Sequence, residues 1–193
     1  MFPIFIKIKM QHKIIKLTTL NISKLFIIFY KLIYGRKVKF GKNILINHRF
    51  SIRGKGHLSI GNNSNLWARE EKNRFQFYDH SAQISIGENT RINGALFQSA
   101  KSITVGNNTI VGSAIISDTD FHKFEDPQHV MFGNVIEKPV QIGNNCWICG
   151  QSVILKGVNI ADGSVVGFRA VVTKDVPANV VVAGNPANIV KTK

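Results

Sequence analysis

Aliphatic residues recur at every sixth position through the C-terminal third of the chain. The series consists of Ile142, Ile148, Ile154, Ile160, Val166 and Val172. A helix requires apolar spacing near 3.6 residues and a half-buried strand requires alternation, so a period of six fits neither. It fits short strands joined by tight turns, with three hexapeptides forming one triangular coil. The pattern therefore predicts an all-β solenoid whose aliphatic side chains stack in one narrow core.

Small or β-branched residues follow four positions after each aliphatic residue. They are Cys146, Ser152, Val158, Ser164, Ala170 and Val176. Asn and Gly recur in the turns, as in Asn144-Asn145 and Asp162-Gly163, and they supply the left-handed backbone conformations that tight corners need. We therefore expect the small residues to lie where each corner is tightest.

The repeat begins earlier, less regularly, and is interrupted once. The same signature occurs at 60–64, 86–90 and 105–109, and it disappears between Ile116 and Val140. The predicted solenoid domain is therefore 58–190, with a loop over 117–139 that leaves the coil. Because rigid scaffolds commonly carry their chemistry on loops, we expect the active site there.

The first part of the chain differs sharply in charge. Of the 25 Lys and Arg residues, fourteen lie in 1–69, which contains no Asp or Glu. A basic segment without acids attracts phosphates, and its interleaved Phe, Ile and Leu residues favour a membrane surface over nucleic acid. We treat 1–57 as a separate basic, apolar segment, partly helical and including the first strands.

Two interpretations of residues 1–35 stay open at this point. They form an amphipathic helix or two that bind the inner membrane face, or they pack on neighbouring subunits. The longest apolar run, Leu25–Tyr30, is far below the ~20 residues that span a bilayer. The pattern predicts no transmembrane helix, and no signal peptide is indicated because no small-residue cleavage site follows an early apolar core.

The hexapeptide run, the loop with its histidine and the closing segments 144–148, 172–177 and 183–187 resemble the hexapeptide-repeat acyltransferases. Within that superfamily the chain is similar to the maltose/galactoside acetyltransferase and polysaccharide O-acetyltransferase group, over about residues 58–190. The resemblance implies a left-handed parallel β-helix. It also implies acetyl-CoA as co-substrate, a sugar or glycan acceptor, and a homotrimer with active sites between subunits.

The resemblance also assigns roles to residues. His122 matches the catalytic histidine, Asn93 an asparagine that positions the acceptor, and Trp147 a tryptophan needed beside the histidine. The positions that contact coenzyme A are Gly150, Phe168, Thr173, Lys174 and Lys191. The family generally has a small residue in place of Phe168 and often an arginine in place of Lys191. We add Arg169 to Lys174 and Lys191 as candidates for the phosphates.

Transfer from a thioester to a hydroxyl needs a base and a stabilised oxyanion. The pKa of histidine lies near neutrality, so His122 suits the first task, in direct transfer within a ternary complex. Backbone amides of the coil are the expected oxyanion donors. Asp118 and Asp120 stand two and four residues before His122, and either one orients the imidazole or merely caps the loop turn.

The Cys146–Cys149 pair has C-x-x-C spacing, which elsewhere indicates a redox dithiol or half a metal site. In this chain both cysteines occupy small positions of the repeat, and there is no second cysteine pair. We predict free thiols in a reducing compartment, the cytoplasm, and no bound metal.

Three other classes of protein compete with this assignment. The first is an N-acetyltransferase acting on a nucleotide-linked amino sugar, which would differ only in its acceptor. The second is a zinc hydratase similar to the γ-carbonic anhydrases, which would need His122, His129 and His80 to converge on a metal. The third is a scaffold without catalysis. The C-terminal segment and Trp147 favour the transferase.

Overall fold

A computed structural model describes residues 2–122 and 135–192 of the chain, with side chains from residue 17 onward. It consists of one long helix followed by a β-solenoid. The helix α1 spans Phe2–Tyr34, and a 3-10 turn over Gly35–Lys37 leads into the first coil. The loop that carries His122 is described at both ends, and its residues 123–134 lie outside the described part.

In the described part of the chain, twenty short strands follow the helix. In chain order they are β1 (Val38–Phe40), β2 (Leu45–Ile46), β3 (Phe50–Arg53), β4 (His57–Ile60), β5 (Asn65–Leu66), β6 (Asn73–Phe77), β7 (Gln83–Ile86), β8 (Arg91–Ile92), β9 (Leu96–Ser99), β10 (Ser102–Val105), β11 (Ile110–Val111), β12 (Ile115–Ser117), β13 (Val140–Ile142), β14 (Trp147–Ile148), β15 (Val153–Ile154), β16 (Asn159–Ile160), β17 (Val165–Val166), β18 (Val171–Val172), β19 (Val180–Ala183) and β20 (Asn188–Thr192).

The strands form three sheets, and each coil contributes one strand to each sheet. The first sheet has the order β1-β4-β7-β10-β13-β16. The second has the order β2-β5-β8-β11-β14-β17-β19-β20, and the third β18-β15-β12-β9-β6-β3. Within the described residues, the strands of successive coils pair in parallel, and the closing β19–β20 pair is antiparallel. The predicted all-β solenoid, of the left-handed parallel β-helix type, is confirmed.

The sixfold pattern sets the core. All six residues of the aliphatic series from Ile142 to Val172 are buried, and so are the small residues that follow them, from Cys146 to Val176. Register places Ile142 beside Ile160 and Ile154 beside Val172, so each aliphatic residue stacks on its counterpart one coil later. In the early coils, aromatic rings fill the same space, and the Phe75 and Phe97 rings lie 5.0 Å apart.

The predicted left-handed turn residues are present. Asn145 has φ 56° and Gly163 has φ 73°. Beside them, a side-chain ladder ties the coils together: Asn144 Oδ1 accepts from the Asn107 N–H at 2.8 Å, and Asp162 Oδ1 accepts from the Asn144 N–H at 2.8 Å. These bonds satisfy backbone groups that the corner would otherwise leave unpaired.

The first complete coil begins at Val38, within the segment 1–57 expected to include the first strands. β1 pairs in parallel with β4, and β3 with β6. The helix closes the open end of this coil, because Tyr34 Oη donates to the Ile52 carbonyl at 2.8 Å and Ser23 Oγ donates to the Ile46 carbonyl at 3.0 Å. A solenoid needs such a cap, since its terminal edge carries unpaired backbone groups.

Candidate active site

The corner between the second and third sheets forms a column of equivalent residues. Asn93, Gly112, Cys149 and Gly167 occupy the same place in successive coils. The N–H of each donates to the carbonyl of a buried second-sheet residue one coil further on, at 2.8–3.0 Å. Three of the predicted site residues, Asn93, Gly150 and Phe168, belong to this corner, which we call the Gly150 corner.

Gly150 and Phe168 follow this column directly. A β-carbon placed on Gly150 would lie 3.2 Å from Ser113 Oγ and 3.5 Å from the Phe168 ring, so packing within the chain does not demand glycine there. The Phe168 side chain is 61% exposed. The corner therefore offers a flat backbone surface next to a solvent-facing ring, which suits an extended ligand.

Arg169 lies beside this surface with its side chain fixed. Its Nε donates to Gln151 Oε1 at 2.7 Å, and its guanidinium carbon lies 5.4 Å from the centroid of the Phe168 ring. Its other guanidinium nitrogens have no hydrogen-bond partner among the described residues, so they can bind an anion. Arg169 is therefore the best-positioned phosphate ligand at the Gly150 corner.

Asn93 and Trp147 flank the same corner. The Asn93 Oδ1 accepts a hydrogen bond from the Arg69 N–H at 3.1 Å, which leaves its Nδ2 without a partner among the described residues. Trp147 belongs to β14, with Ile110 and Val165 as its neighbours in the ladder, and it is 53% exposed. Both side chains can contact a ligand that lies against the second sheet.

His122 lies at a different corner, between the third and first sheets. It follows β12 at the start of the loop, and its side chain is exposed. Phe121 has φ 63° and packs edge-on against Tyr78, with ring centroids 4.9 Å apart. This contact anchors the chain immediately before His122. We call this place the His122 corner.

The two aspartates near His122 are engaged elsewhere. Asp118 is fully buried, and its carboxylate accepts from Ser99 Oγ at 2.7 Å and from the N–H groups of Ala100 at 2.7 Å and Lys101 at 2.9 Å. Asp118 therefore caps the turn at 99–101, one coil earlier, and not the turn of its own loop. Asp120 pairs with Lys156 at 2.6 Å. Neither carboxylate contacts His122 within the described residues, so the orienting role stays a prediction.

The candidate residues thus fall into separate groups in one chain. Thr173 and Lys174 follow β18, and therefore lie at the His122 corner two coils further along. Lys191 lies in β20 opposite Val181, at the edge of the second sheet. One third-sheet side separates the two corners, which at ~3.3 Å per extended residue is a distance on the order of 15–20 Å.

The two cysteines are free thiols on either side of β14, with Cys146 directly before the strand and Cys149 directly after it at the Gly150 corner. Cys146 is buried, and Cys149 is partly buried. Burial raises the pKa of both thiols. A raised pKa reduces the thiolate fraction at neutral pH, which is the opposite of what a nucleophilic cysteine requires.

Several residues at these corners are not indicated by the sequence pattern. Lys156, the partner of Asp120, lies one coil beyond the loop, and only the hexapeptide register would have indicated it. Tyr78 Oη lies between two amide side chains, donating to Gln76 Oε1 at 3.1 Å and accepting from Gln98 Nε2 at 3.2 Å. This polar row on the third sheet leads to Phe121, and it belongs to coils in which the repeat is irregular.

A metal site would need three convergent ligands. Among the described side chains, those of residues 17–122 and 135–192, no group of three His, Cys, Asp or Glu is close enough to hold an ion. His129, one of the ligands that a zinc hydratase would require, lies outside the described residues.

Known proteins are similar to this chain in sequence. Residues 139–174 match the family described as bacterial transferase hexapeptide (six repeats). The chain is 34% identical to the galactoside O-acetyltransferase of Escherichia coli K12 over 119 residues, which cover 60% of this chain and 57% of that protein. It is 28% identical over 161 residues to WcaF of the same strain, a proposed colanic acid biosynthesis acetyltransferase, covering 83% of this chain and 71% of WcaF.

A solved structure agrees with these matches. The hexapeptide-repeat-containing acetyltransferase of Vibrio cholerae O1 biovar eltor, complexed with acetyl coenzyme A, is similar with a TM-score of 0.53 and 25% identity. The match covers 79% of this chain and 69% of that one. The matched segment of this chain spans less than two thirds of the galactoside O-acetyltransferase.

The solenoid and its hexapeptide register are similar to those of the hexapeptide-repeat transferases. The relatives of this chain in sequence and fold are acetyltransferases, including one that acts on galactosides. The resemblance predicted from the repeat, the loop and the closing segment is thereby confirmed.

Proposed function

We propose that the protein transfers an acetyl group from acetyl-CoA to a hydroxyl of a sugar in a polysaccharide, capsule or lipid-linked glycan. The observation that carries the proposal is the Gly150 corner. Packing within the chain does not require a glycine at Gly150, and an exposed Phe168 and a hydrogen-bonded Arg169 lie beside it. The relationship to the galactoside O-acetyltransferase and to the acetyl-CoA complex supports both the donor and the acceptor class.

The active site forms between two copies of the chain in a homotrimer. The Gly150 corner holds the pantetheine contacts and the His122 corner holds the base, and a third-sheet side on the order of 15–20 Å wide separates them. A neighbouring chain that sets its His122 corner against the Gly150 corner brings base and donor together. Cyclic assemblies repeat such a head-to-tail contact around a closed ring.

The cofactor contacts divide by chemistry. Gly150 and Phe168 line the pantetheine arm, while Arg169, Lys174 and Lys191 offer cations to the phosphates. Thr173 supplies a hydroxyl next to Lys174. Trp147 forms a wall of the pocket for the thioester or the acceptor.

The transfer runs in one ternary complex. His122 takes the proton of the acceptor hydroxyl as its oxygen attacks the thioester carbonyl, which gives a tetrahedral oxyanion stabilised by backbone N–H groups. The C–S bond then breaks, the new ester forms, and His122 passes the proton to the departing thiolate. Asn93 holds the acceptor through its free amide nitrogen.

The surface that leads to the base supports a sugar as the acceptor. Tyr78 is 54% exposed, and Gln76 and Gln98 hydrogen-bond to it in a row along the third sheet. An aromatic face and adjacent amides match the apolar faces and hydroxyls of a pyranose ring. A nucleotide-linked amino sugar, acetylated on nitrogen, is the alternative acceptor and would use the same base.

The test combines a binding measurement and an acceptor screen. Calorimetric titration with acetyl-CoA and with CoA should give micromolar affinity, in protein that metal analysis shows to lack stoichiometric zinc. Free glycans, lipid-linked glycans and nucleotide-linked amino sugars are then tested for acetyl transfer, with ester and amide products separated by their lability to mild alkali. No CoA binding together with bound zinc would overturn the transferase. Acetylation of amines alone would favour the N-acetyltransferase.

We also propose that the reaction takes place in the cytoplasm. Acetyl-CoA is available there, and Cys146 and Cys149 remain reduced in that compartment.

A further inference from the structure

The helix α1 carries two apolar stripes on opposite sides. The inward stripe consists of Ser23, Phe26, Ile27, Tyr30 and Tyr34. Ser23 is fully buried, and the hydroxyls of Tyr30 and Tyr34 donate to the carbonyls of Phe50 and Ile52 in β3. Burial raises the pKa of both tyrosines, as expected for phenols held against the coil. The inward stripe is therefore fully used in closing the solenoid.

Apart from an edge-on contact between the Phe29 and Tyr30 rings within the helix, the outward stripe has no partner within the described residues. It consists of Leu25, Ile28, Phe29, Leu32 and Ile33, whose exposed fractions are 69%, 55%, 53%, 81% and 57%. Their spacing of three and four residues places them on one helical face, about 100° wide or more. Five large apolar side chains in a continuous row exceed what a soluble monomer ordinarily leaves in water.

Positive charge borders this stripe. Lys24 and Lys31 stand seven residues apart on one flank of the helix, and Arg36 and Lys37 follow its end. No acidic residue precedes Glu70 in the chain. An apolar row with cations beside it is complementary to a surface of acyl chains under anionic headgroups.

We propose that the outward stripe of α1 docks the protein on an anionic lipid bilayer, with the helix lying in the plane of the interface. The solenoid then projects from the membrane. Coils are spaced ~4.8 Å apart, so the coil that contains Trp147, the fifth, lies on the order of 20 Å beyond the first. An acceptor tethered to lipid can reach the candidate site over this distance.

The same helix does not cross the bilayer in this arrangement. By length and mean hydropathy alone, the 21-residue segment Leu17–Lys37 is long and apolar enough to span a membrane, which the interrupted sequence pattern did not indicate. Spanning would break the bonds of Ser23, Tyr30 and Tyr34 to the first coil and leave the solenoid edge uncapped. Docking on the surface keeps these bonds and buries only the stripe that is exposed.

The experiment is flotation of the full chain with vesicles of phosphatidylcholine alone and of phosphatidylcholine with 30% phosphatidylglycerol, a composition chosen to supply anionic headgroups. The expected result is binding to the anionic vesicles only, weakened at high salt. The variant Ile28→Ser/Leu32→Ser should lower affinity at least tenfold. Lys24→Gln/Lys31→Gln should lower it about 25-fold, at about fivefold for each lysine. The matched control Ile189→Ser, an exposed apolar residue of β20, should bind as the parent does.

Circular dichroism and thermal unfolding show whether each variant is folded, and acetyl-CoA titration should be unchanged in all of them. Three outcomes would overturn the proposal: equal binding to neutral and anionic vesicles, unchanged binding of both stripe and lysine variants, or resistance to alkaline carbonate extraction, which would indicate a spanning helix. An assembly that dissociates in Ile28→Ser/Leu32→Ser without any vesicle binding would show that a second copy covers the stripe. None of these outcomes depends on whether the protein transfers acetyl groups.

Discussion

Asp120 Oδ1 lies 2.6 Å from Lys156 Nζ, and this pair joins the start of the His122 loop to the coil that follows it. The two side chains are 38% and 26% exposed, so the pair contributes only ~0–1 kcal/mol to the stability of the fold. Its effect on the position of His122 can be much larger, because a displacement of about 1 Å can cost ~100-fold in rate.

We therefore predict that Lys156→Gln lowers kcat roughly tenfold while leaving the melting temperature within about 2 °C. Steady-state kinetics and thermal unfolding of the same samples test this. The exchange variant Asp120→Lys/Lys156→Asp should recover part of the loss. A fall in kcat accompanied by a clear fall in the melting temperature would show that the pair stabilises the fold and does not act by positioning the loop.

His122→Ala should abolish acetyl transfer, with a loss of at least ~100-fold in kcat, since a general base contributes a factor of this order. Affinity for acetyl-CoA should change little, because the contacts proposed for the pantetheine arm, Gly150 and Phe168, lie at the Gly150 corner. His57→Ala is the matched control, an exposed histidine in β4 on the first sheet. A fully active His122→Ala enzyme would remove the proposed mechanism.

Gly150→Ala should raise the KM for acetyl-CoA about tenfold or more. The new methyl meets only the movable Ser113 hydroxyl at 3.2 Å and the Phe168 ring at 3.5 Å, so the fold accommodates it, whereas a ligand packed on the backbone meets it directly. The KM for the acceptor and the melting temperature should stay close to those of the parent. An unchanged KM for acetyl-CoA would show that the cofactor does not bind at this corner.

The sequence predicted the regular part of the fold because each hexapeptide repeats one physical requirement. A buried Ile142 and a left-handed Asn145 both follow from local spacing and turn chemistry. The start of the solenoid at Val38 did not follow, because the third sheet of the early coils is filled by Phe50, Phe75 and Phe97 in place of aliphatic residues, and longer strands break the sixfold frame.

The candidate site was predictable in type more than in arrangement. His122 was found from the interruption of the repeat, but the turn that Asp118 caps lies one coil earlier, and only the three-dimensional register brings residues 99–101 to its carboxylate. The separation of the Gly150 and His122 corners likewise depends on which side of the triangle each turn occupies.

The cysteines should react slowly and with a shifted pH dependence. Burial raises the pKa of Cys146 and Cys149, so their thiolate fractions at pH 8 are smaller than that of a free cysteine. Iodoacetamide should label the folded protein more slowly than the unfolded chain, with a pH midpoint above the ordinary thiol value, and Cys149→Ser isolates the signal of Cys146. Labelling as fast as in the unfolded chain would contradict this.

The same shift has a consequence for stability. Below the ordinary thiol pKa, the thiols are neutral in both the folded and the unfolded protein. As the pH rises beyond that pKa, the thiols of the unfolded chain ionise first. The free energy of unfolding should therefore fall with rising pH in that range. Chemical denaturation of the parent and of a Cys146→Ser/Cys149→Ser variant, compared at pH 8 and pH 10, measures the difference, and identical falls would show that the thiols contribute nothing.

Asn73 is the side chain whose loss should damage the fold most for its size. It is fully buried; its Nδ2 donates to the carbonyls of Leu66 at 2.8 Å and Ile92 at 3.3 Å, and its Oδ1 accepts from the N–H groups of Gly94 at 2.7 Å and Ala95 at 3.1 Å. Asn73→Ala would leave buried backbone groups of two coils without their hydrogen-bond partner. Each unpaired group costs ~1–3 kcal/mol. We predict a loss of about 2–4 kcal/mol in the free energy of unfolding, measured by chemical denaturation.

The exposed Asn188 provides the control, because its Nδ2 donates only to the Pro186 carbonyl at 3.0 Å. Asn188→Ala should change the free energy of unfolding by no more than about 0.5 kcal/mol. Asn73→Asp separates shape from bonding, since it retains the volume and the two acceptor contacts but cannot donate to Leu66 and Ile92. Its stability should lie well below that of the parent, and a parent-like Asn73→Asp would show that the donated bonds are not what holds these coils together.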